Sequence, residues 1–197
     1  MTSVFAALAV SVDGFITGRD PGPGRGLGDG GVLFDWYGAG DATSEVFTGF
    51  RLSEQSRRVF DDLARRIGAV VMGRNTYDDS EGFGGKGPHP TAAVFVVSHR
   101  PAPPTASAEQ TFVTSIEAGI DAAREAAGDR DVAVMGGGVA TAALRSGLLD
   151  EVVLHQVPVL LGGGRRYFQD FPKHVGLNLV EAVPAPGVTH LRFRIEK

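Results

Sequence analysis

The chain contains no cysteine. That excludes a disulfide framework, a thiolate nucleophile and any cysteine-ligated zinc. It has no basic excess either: 19 Lys and Arg stand against 23 Asp and Glu, a formal net charge of −4. A surface that follows nucleic acid must neutralise phosphates along it, so a nucleic-acid partner is not expected. The five histidines, His89, His99, His155, His174 and His190, are scattered, and none lies four residues from another. No metal site is expected from them. No apolar run reaches the 18 residues that a membrane span needs. The first residues lack the basic region of a signal peptide, and Asp13 interrupts their apolar run. A cytoplasmic protein without a membrane partner is the expectation.

What is present fits a globular protein. With 197 residues, 43% apolar and 21% charged, one domain over residues 1–197 with a substantial core is expected. The richest stretch is residues 132–164. It runs from four apolar residues into Gly136-Gly137-Gly138 and then into a short helical pattern. A strand, a glycine turn and a helix N-terminus in that order present bare backbone N–H groups, backed by the helix dipole, to an anion. The anion this predicts is a phosphate of a nucleotide cofactor.

Residues 4–12 read as the first strand. Residues 69–72, 93–97, 111–113, 132–135 and 151–160 follow as further strands. Ser53 caps a helix over 54–67 that Gly68 stops, and Ser115 caps another that Gly128 stops. A third helix begins at Val139 and ends near Gly147. Strands alternating with helices imply parallel pairing through right-handed crossovers. In the tail, Leu177, Leu179 and Val183, then Leu191, Phe193 and Ile195, alternate about residues 184–187 and read as an antiparallel pair. The fold class is therefore α/β, a mostly parallel sheet with an antiparallel C-terminal edge. Between residues 14 and 49 lies a glycine-rich segment without strong periodicity that carries Phe34 and Trp36. A loop of this length in a compact domain is functional or disordered, and its aromatics favour function. They read either as cover for a substrate or as plugs for a surface hole.

Ligands of open α/β sheets bind beyond the carboxyl ends of the parallel strands. The end of the first strand with its aromatic loop and residues 73–77, 98–100 and 136–141 converge there. Arg74 and Arg100 follow buried strands directly and suit bidentate contact with a phosphate. Thr76 and Ser98 add hydroxyls. Gly136 to Gly138 offer amides to a pyrophosphate, and Thr141 adds a hydroxyl in the first helical turn. Two arginines favour the 2′-phosphate of NADP over the free ribose of NAD, where an acidic residue belongs. The triplet lacks the last glycine of G-x-G-x-x-G, since position 141 is Thr, and it comes late in the chain. A standard Rossmann domain is thus disfavoured. The second triplet, Gly162 to Gly164, reads first as a structural turn, and as the alternative one that brings Arg165, Arg166 and Tyr167 towards a substrate.

These residues resemble the dihydrofolate reductase-like superfamily, and within it the group containing the C-terminal reductase domain of the bifunctional riboflavin-biosynthesis deaminase–reductase. The resemblance rests on six segments in the family's order: Ala6-Ala7-Leu8-Ala9-Val10; Ser11-Val12-Asp13-Gly14; Val71-Met72-Gly73-Arg74-Asn75-Thr76-Tyr77; Val97-Ser98-His99-Arg100-Pro101; Val134-Met135-Gly136-Gly137-Gly138; and Leu148-Leu149-Asp150-Glu151 with Val157-Pro158-Val159-Leu160-Leu161-Gly162. It implies a three-layer α/β/α sandwich, NADPH as cofactor, and hydride transfer to a small pyrimidine- or pterin-like substrate. It places Arg74, Thr76, Ser98 and Arg100 around the adenosine 2′-phosphate, Gly136, Gly137 and Gly138 at the pyrophosphate, and Ala7 against the nicotinamide. Gly73, His99, Val139 and Thr141 complete the expected cofactor-binding set. The resemblance also implies a homodimer. Asp13 and Trp36 are the candidate catalytic residues, Asp13 either as an acid near the nicotinamide or as the shaper of an Asp-Gly turn. Two departures stand out. Folate-reducing relatives carry an acidic residue early in the helix that here reads Gln55-Ser56-Arg57-Arg58, which demotes folate reduction to an alternative. No deaminase motif is present. A protein that binds NADPH without turnover is the second alternative.

Overall fold

A computed structural model describes residues 2–197. The chain begins with β1 (Val4–Ser11), a 3-10 helix (Gly28–Gly38) and the short strands β2 (Ala42–Thr43) and β3 (Arg51–Leu52). Then come α1 (Glu54–Arg66), β4 (Ile67–Gly73), α2 (Arg74–Asp79), a second 3-10 helix (Glu81–Gly85), β5 (Ala93–Val97) and β6 (Gln110–Val113). The remainder is α3 (Ile116–Ala127), β7 (Asp131–Met135), α4 (Gly137–Arg145), β8 (Glu151–Val157), β9 (Leu177–Ala185) and β10 (Val188–Ile195).

Eight strands form one sheet in the order β6-β5-β4-β7-β1-β8-β10-β9, and β2 and β3 pair apart from it. The six strands from β6 to β8 pair in parallel, and β10 runs antiparallel to both its neighbours. This is the α/β class expected, with its antiparallel edge. The physical cause is visible strand by strand. The sequence of β4, IGAVVMG, is apolar almost throughout and its five central residues are buried, as a strand covered on both faces must be. In β1, alternate side chains face opposite layers. Val4 and Ala6 pack with Ile120 and Ala123 of α3 and with Ala140 and Ala143 of α4. Phe5 packs on the other face, against Leu63 of α1 and Val153 of β8.

The caps fall where the sequence puts them. Ser53 Oγ accepts from the Ser56 amide at 3.2 Å, and Ser115 Oγ from the Ala118 amide at 3.1 Å. Several boundaries differ, four of them as follows. β1 ends at Ser11, and Val12 turns outward. β8 ends at Val157, because Pro158 has no N–H to extend the ladder. Gly68 is no helix stop: the chain passes from α1 straight into β4, where a Cβ on Gly68 would lie 2.8 Å from Ala127 of α3. α4 starts at Gly137, two residues before Val139. The segment over 14–49 is also more regular than a loop, since the 3-10 helix and β2 lie in it, β2 pairing with β3 just beyond its end. Among the described residues, no helix is long and apolar enough to cross a membrane.

Candidate functional site

The carboxyl ends of β1, β4, β5 and β7 open into one cleft of about 960 Å³. A parallel sheet sets its strand ends and the helix N-termini that follow them along one edge, so segments far apart in sequence meet there. Every cofactor-contacting residue expected from the sequence lines this cleft except Thr141. In a chain of net negative charge, the lining holds five arginines, His99 and a single carboxylate, Asp79. Such a concave surface concentrates positive potential on an anion.

At one end stand Arg74, the first residue of α2, and Arg100, beyond β5. Arg74 Nε donates to Asp78 at 2.7 Å, and its Nη1 reaches Ser98 Oγ at 3.3 Å and the Pro101 carbonyl at 2.9 Å. Arg100 Nη2 donates to the other oxygen of Asp78 at 2.8 Å. Ser98 is buried; its hydroxyl donates to the Arg100 carbonyl at 2.8 Å and accepts from the Arg100 amide at 3.0 Å, fixing the turn that aims Arg100. His99 is exposed on the rim.

At the middle lies the glycine turn. Gly136 has φ +111°, a conformation a side chain resists, and a Cβ there would meet Thr76 Oγ1 at 2.5 Å. A Cβ on Gly137 would lie 2.2 Å from the Arg166 carbonyl oxygen. Two of the three glycines are therefore required by the packing of the protein on itself, and that close approach brings residues 165–167 over the start of α4. The first amides of α4 have no carbonyl of their own helix to bond. Gly138 has open space beside it towards Gln169. Thr141 corrects the expectation. It is buried, donates to the Gly137 carbonyl at 2.7 Å and accepts from the Gln169 amide at 3.0 Å, so its hydroxyl ties the helix to the following loop and stays out of the cleft.

The other end is apolar: Ala7, Leu8 and Ala9 of β1, Ile16, Leu27, Phe34 and Tyr37. Here Trp36 is corrected. It is 2% exposed, does not line the cleft, and lies 5.3 Å and 5.2 Å, ring to ring, from His155 and His190. The reason is the helix type. A 3-10 helix has three residues per turn, so residues i and i+3 share a face. Gly30, Leu33 and Trp36 form the buried face, whereas Gly28, Gly31, Phe34 and Tyr37 form the face on the cleft. Tyr37 stacks between Phe34 and Phe50, at 5.1 Å and 4.5 Å, and burial pushes its phenol pKa well up.

Asp13 is corrected as well. Its carboxylate takes the Ser11 hydroxyl at 2.6 Å and the amides of Leu161 and Gly162 at 3.1 Å and 2.7 Å. The Ser11 hydroxyl, with those amides, lowers its pKa to about 2. It is an ionised strut between two loops, outside the cleft lining, and holds no proton to give near neutral pH.

Sequence reasoning passed over Asp79, Phe83, Arg25 and Leu27. Asp79 pairs with Arg165, joining the end of α2 to the loop after the second glycine triplet. That loop does bring Arg165 and Arg166 to the cleft, with Arg166 over the Phe15 ring. Tyr167 instead is buried, its hydroxyl 2.9 Å from the Ala6 carbonyl. Phe83 reaches the cleft from a turn in which it and Glu81 have φ near +50°. Its signal in the sequence is an aromatic set among glycines, Gly82-Phe83-Gly84-Gly85, like that of the longer segment. Gly24 N donates to Glu81 Oε1 at 3.0 Å, which seats the loop bearing Arg25 and Leu27 on that turn. α1 does hold a buried carboxylate, Asp61, but it accepts from Ser44 Oγ and the Glu45 amide and does not line the cleft. Among the described residues no group of three His, Asp or Glu side chains is placed to hold a metal ion.

The geometry of this cleft can be set beside known proteins. The RibD C-terminal domain family matches residues 2–191. No curated protein matches the chain. Among solved structures, a Shewanella sp. PV-4 protein described provisionally as a riboflavin biosynthesis protein is 25% identical. Its TM-score is 0.72, with all of both chains covered. RibD of Acinetobacter baumannii is 15% identical with a TM-score of 0.63, the whole of this chain matching 58% of that one. A pyrimidine reductase-like protein of Corynebacterium diphtheriae is 14% identical with a TM-score of 0.65, the match covering 92% of that chain.

Proposed function

The chain belongs to the RibD C-terminal domain family, and from that premise we propose that it is an NADPH-dependent reductase. It passes a hydride to a small heterocyclic substrate, in the manner of a 5-amino-6-(5-phosphoribosylamino)uracil reductase. One observation carries the reading: a single cleft joins an end bearing Arg74 and Arg100, a helix N-terminus and an aromatic wall, following the strand order β5-β4-β7-β1. A dinucleotide has the same order of parts, with phosphates at one end and a flat ring at the other. The donor set fits it, and the open flank of Gly138 leaves room for a phosphate beside the amides of α4.

NADPH, when bound, supplies the hydride. The protein holds and orients. Arg74, Arg100 and Thr76 would hold the adenosine phosphate. The amides of Gly138 and Val139, with Arg165, would hold the pyrophosphate. Ala7 would lie against the nicotinamide, and Phe34 and Tyr37 would flank the substrate and keep water from it. Positioning and water exclusion are the protein's share of such a reaction. Asp61, turned into the protein, gives folate reduction no support. Self-association belongs to the same proposal: the edge strand β9 leaves Leu177, Leu179 and Val180 exposed, and sedimentation tests it.

The experiment is NADPH oxidation followed by absorbance, with the phosphoribosylaminouracil, other aminopyrimidines and dihydrofolate offered in turn. Arg74→Ala should weaken NADPH by roughly 1.5–3 kcal/mol, about ten- to a hundredfold or slightly more, as loss of one charge-assisted contact does. A variant that binds as tightly as the parent removes the site. Tight NADPH binding with no consumption on any substrate leaves the non-catalytic alternative.

A further inference from the structure

We propose that Asp78 is a positioning residue that sets the preference for NADPH over NADH, by holding Arg74 and Arg100 as one unit. The proposal rests on the cofactor reading above. The two arginines come from separate strand ends, Arg74 after β4 and Arg100 after β5. Asp78 lies one turn beyond Arg74 on α2, on the same side of the helix. Each of its oxygens takes one guanidinium, Oδ1 from Arg74 Nε at 2.7 Å and Oδ2 from Arg100 Nη2 at 2.8 Å.

Both arginines line the cleft and Asp78 does not, so the carboxylate stands behind them. It therefore does not occupy the place of a phosphate; it fixes the groups that would meet one. The two arginines depend on it unequally. Arg74 has further holds on Ser98 and the Pro101 carbonyl. Arg100 is 58% exposed at its side chain, and among the described residues Asp78 is the one side chain that holds its guanidinium. An exposed arginine left to itself samples many rotamers, and ordering it on binding reduces affinity. A carboxylate between two guanidinium groups also offsets their repulsion, which lets both face one dianion. NADH lacks the 2′-phosphate, so the tether has little to act on when NADH binds.

Dissociation constants for NADPH and NADH, read from nicotinamide fluorescence, test this on the parent, Asp78→Asn and Asp78→Glu. In Asp78→Asn one oxygen remains for Arg74, and the amide nitrogen offers Arg100 no acceptor. NADPH should weaken about tenfold while NADH stays within about twofold. Asp78→Glu should restore part of the NADPH affinity. In an Arg100→Ala background, Asp78→Asn should add little, since the residue it acts through is gone. Equal weakening for both cofactors overturns the proposal, because that is general damage to the site. Tighter NADPH binding overturns it too, because Asp78 would then compete with the phosphate. A full Asp78→Asn effect in the Arg100→Ala background also overturns it. A parent that binds neither cofactor removes the underlying cofactor reading and this proposal with it. A parent that prefers NADPH while Asp78→Asn keeps the same preference removes this proposal alone.

Discussion

Acid should destabilise this protein well before its carboxylates protonate, and the cause is one buried pair. His155 on β8 faces His190 on β10 across the antiparallel ladder. Their Nδ1 atoms are 2.8 Å apart, and His190 Nε2 lies 2.9 Å from Ser56 Oγ. They are 3% and 2% exposed, with the Trp36 ring against both. One Nδ1 must donate and the other accept, so two charged rings would set N–H against N–H. Burial lowers both pKa values, that of His155 to about 3, with the neighbouring His190 adding to the effect, and that of His190 to about 4.

The sign follows directly. In the unfolded chain each imidazole takes a proton near pH 6.5, whereas the folded pair stays neutral to well below pH 5. Between those limits the unfolded state binds more protons, so stability falls as pH falls. Each ring's loss is about half of 1.4 kcal/mol per pH unit at pH 6.5 and approaches that full slope below it, hence about 1.6 kcal/mol between pH 6.5 and 5.0 and about 3 kcal/mol for the pair. Against a typical total of about 5–15 kcal/mol, this is a large share. His89 is desolvated too and shifts in the same direction. The carboxylates with lowered pKa values, Asp13, Glu54, Glu117 and Glu151, give up their contribution only below the ordinary carboxylate range. The interval from pH 6.5 to 5.0 thus belongs to histidine. Urea unfolding across that interval, on the parent and on the double variant His155→Leu with His190→Gln, reads the slope directly. A general loss of stability in the variant does not matter, since the slope is the readout. The parent should lose about 3 kcal/mol or more, and the variant only the part due to His89. A flat parent, or the same slope in both proteins, refutes the reasoning.

Gly137→Ala should cost about 1–3 kcal/mol of stability, because the new Cβ would meet the Arg166 carbonyl, which is backbone and cannot turn aside. Chemical denaturation measures it, and a change under about 0.5 kcal/mol contradicts the close approach. Phe34 is 40% exposed, so Phe34→Ala should cost less than about 1 kcal/mol of stability. It should raise KM for the heterocyclic substrate and leave the NADPH dissociation constant unchanged; a loss of NADPH affinity alone would place Phe34 on the wrong half of the cleft. Asp13→Asn should lower the thermal midpoint near neutral pH by loosening the tie between Ser11 and residues 161–162. The folded pKa lies near 2, below its ordinary value of 3.8, so the parent's advantage is present above that ordinary value and fades as pH falls towards 2. A gap between parent and variant that is unchanged at pH 2 argues against the strut.

The sheet and the edge that carries the cleft were legible because their cause is periodic and local. β4 and β5 are unbroken apolar runs, and a chain that alternates such runs with capped helices has a parallel sheet as its simplest packing. Once the sheet is parallel, Arg74, Ser98, Arg100 and Gly136 must meet, whatever their distance in sequence. Polar partnerships are another matter. Asp13 finds Leu161 and Gly162 nearly 150 residues away, and no spacing in the sequence distinguishes that tie from a carboxylate facing a ligand. Thr141 is similar: in the first turn of a helix it has the choice of facing outward to an anion or back to a carbonyl of its own helix, and the loop bearing Gln169 decides it.

The glycine-rich segment hides its register for a different reason, and that register decides which aromatic faces the cleft. Periods of 3.6 and 2 are the ones by which helices and strands are recognised, and residues 28–38 obey neither. They obey a period of 3. Gly30, Leu33 and Trp36 are one row, and Gly28, Gly31, Phe34 and Tyr37 are another. Size alone nominates Trp36 as the cover for a substrate. Register alone excludes it, since Leu33 is fully buried and whatever stands three residues on must be buried beside it. The Trp36 indole nitrogen has no hydrogen-bond partner among the described residues, so Trp36 fills the space against the histidine pair by shape rather than by bonding. Tyr37 and Phe34 are left on the open row, where a flat ring can lie against them.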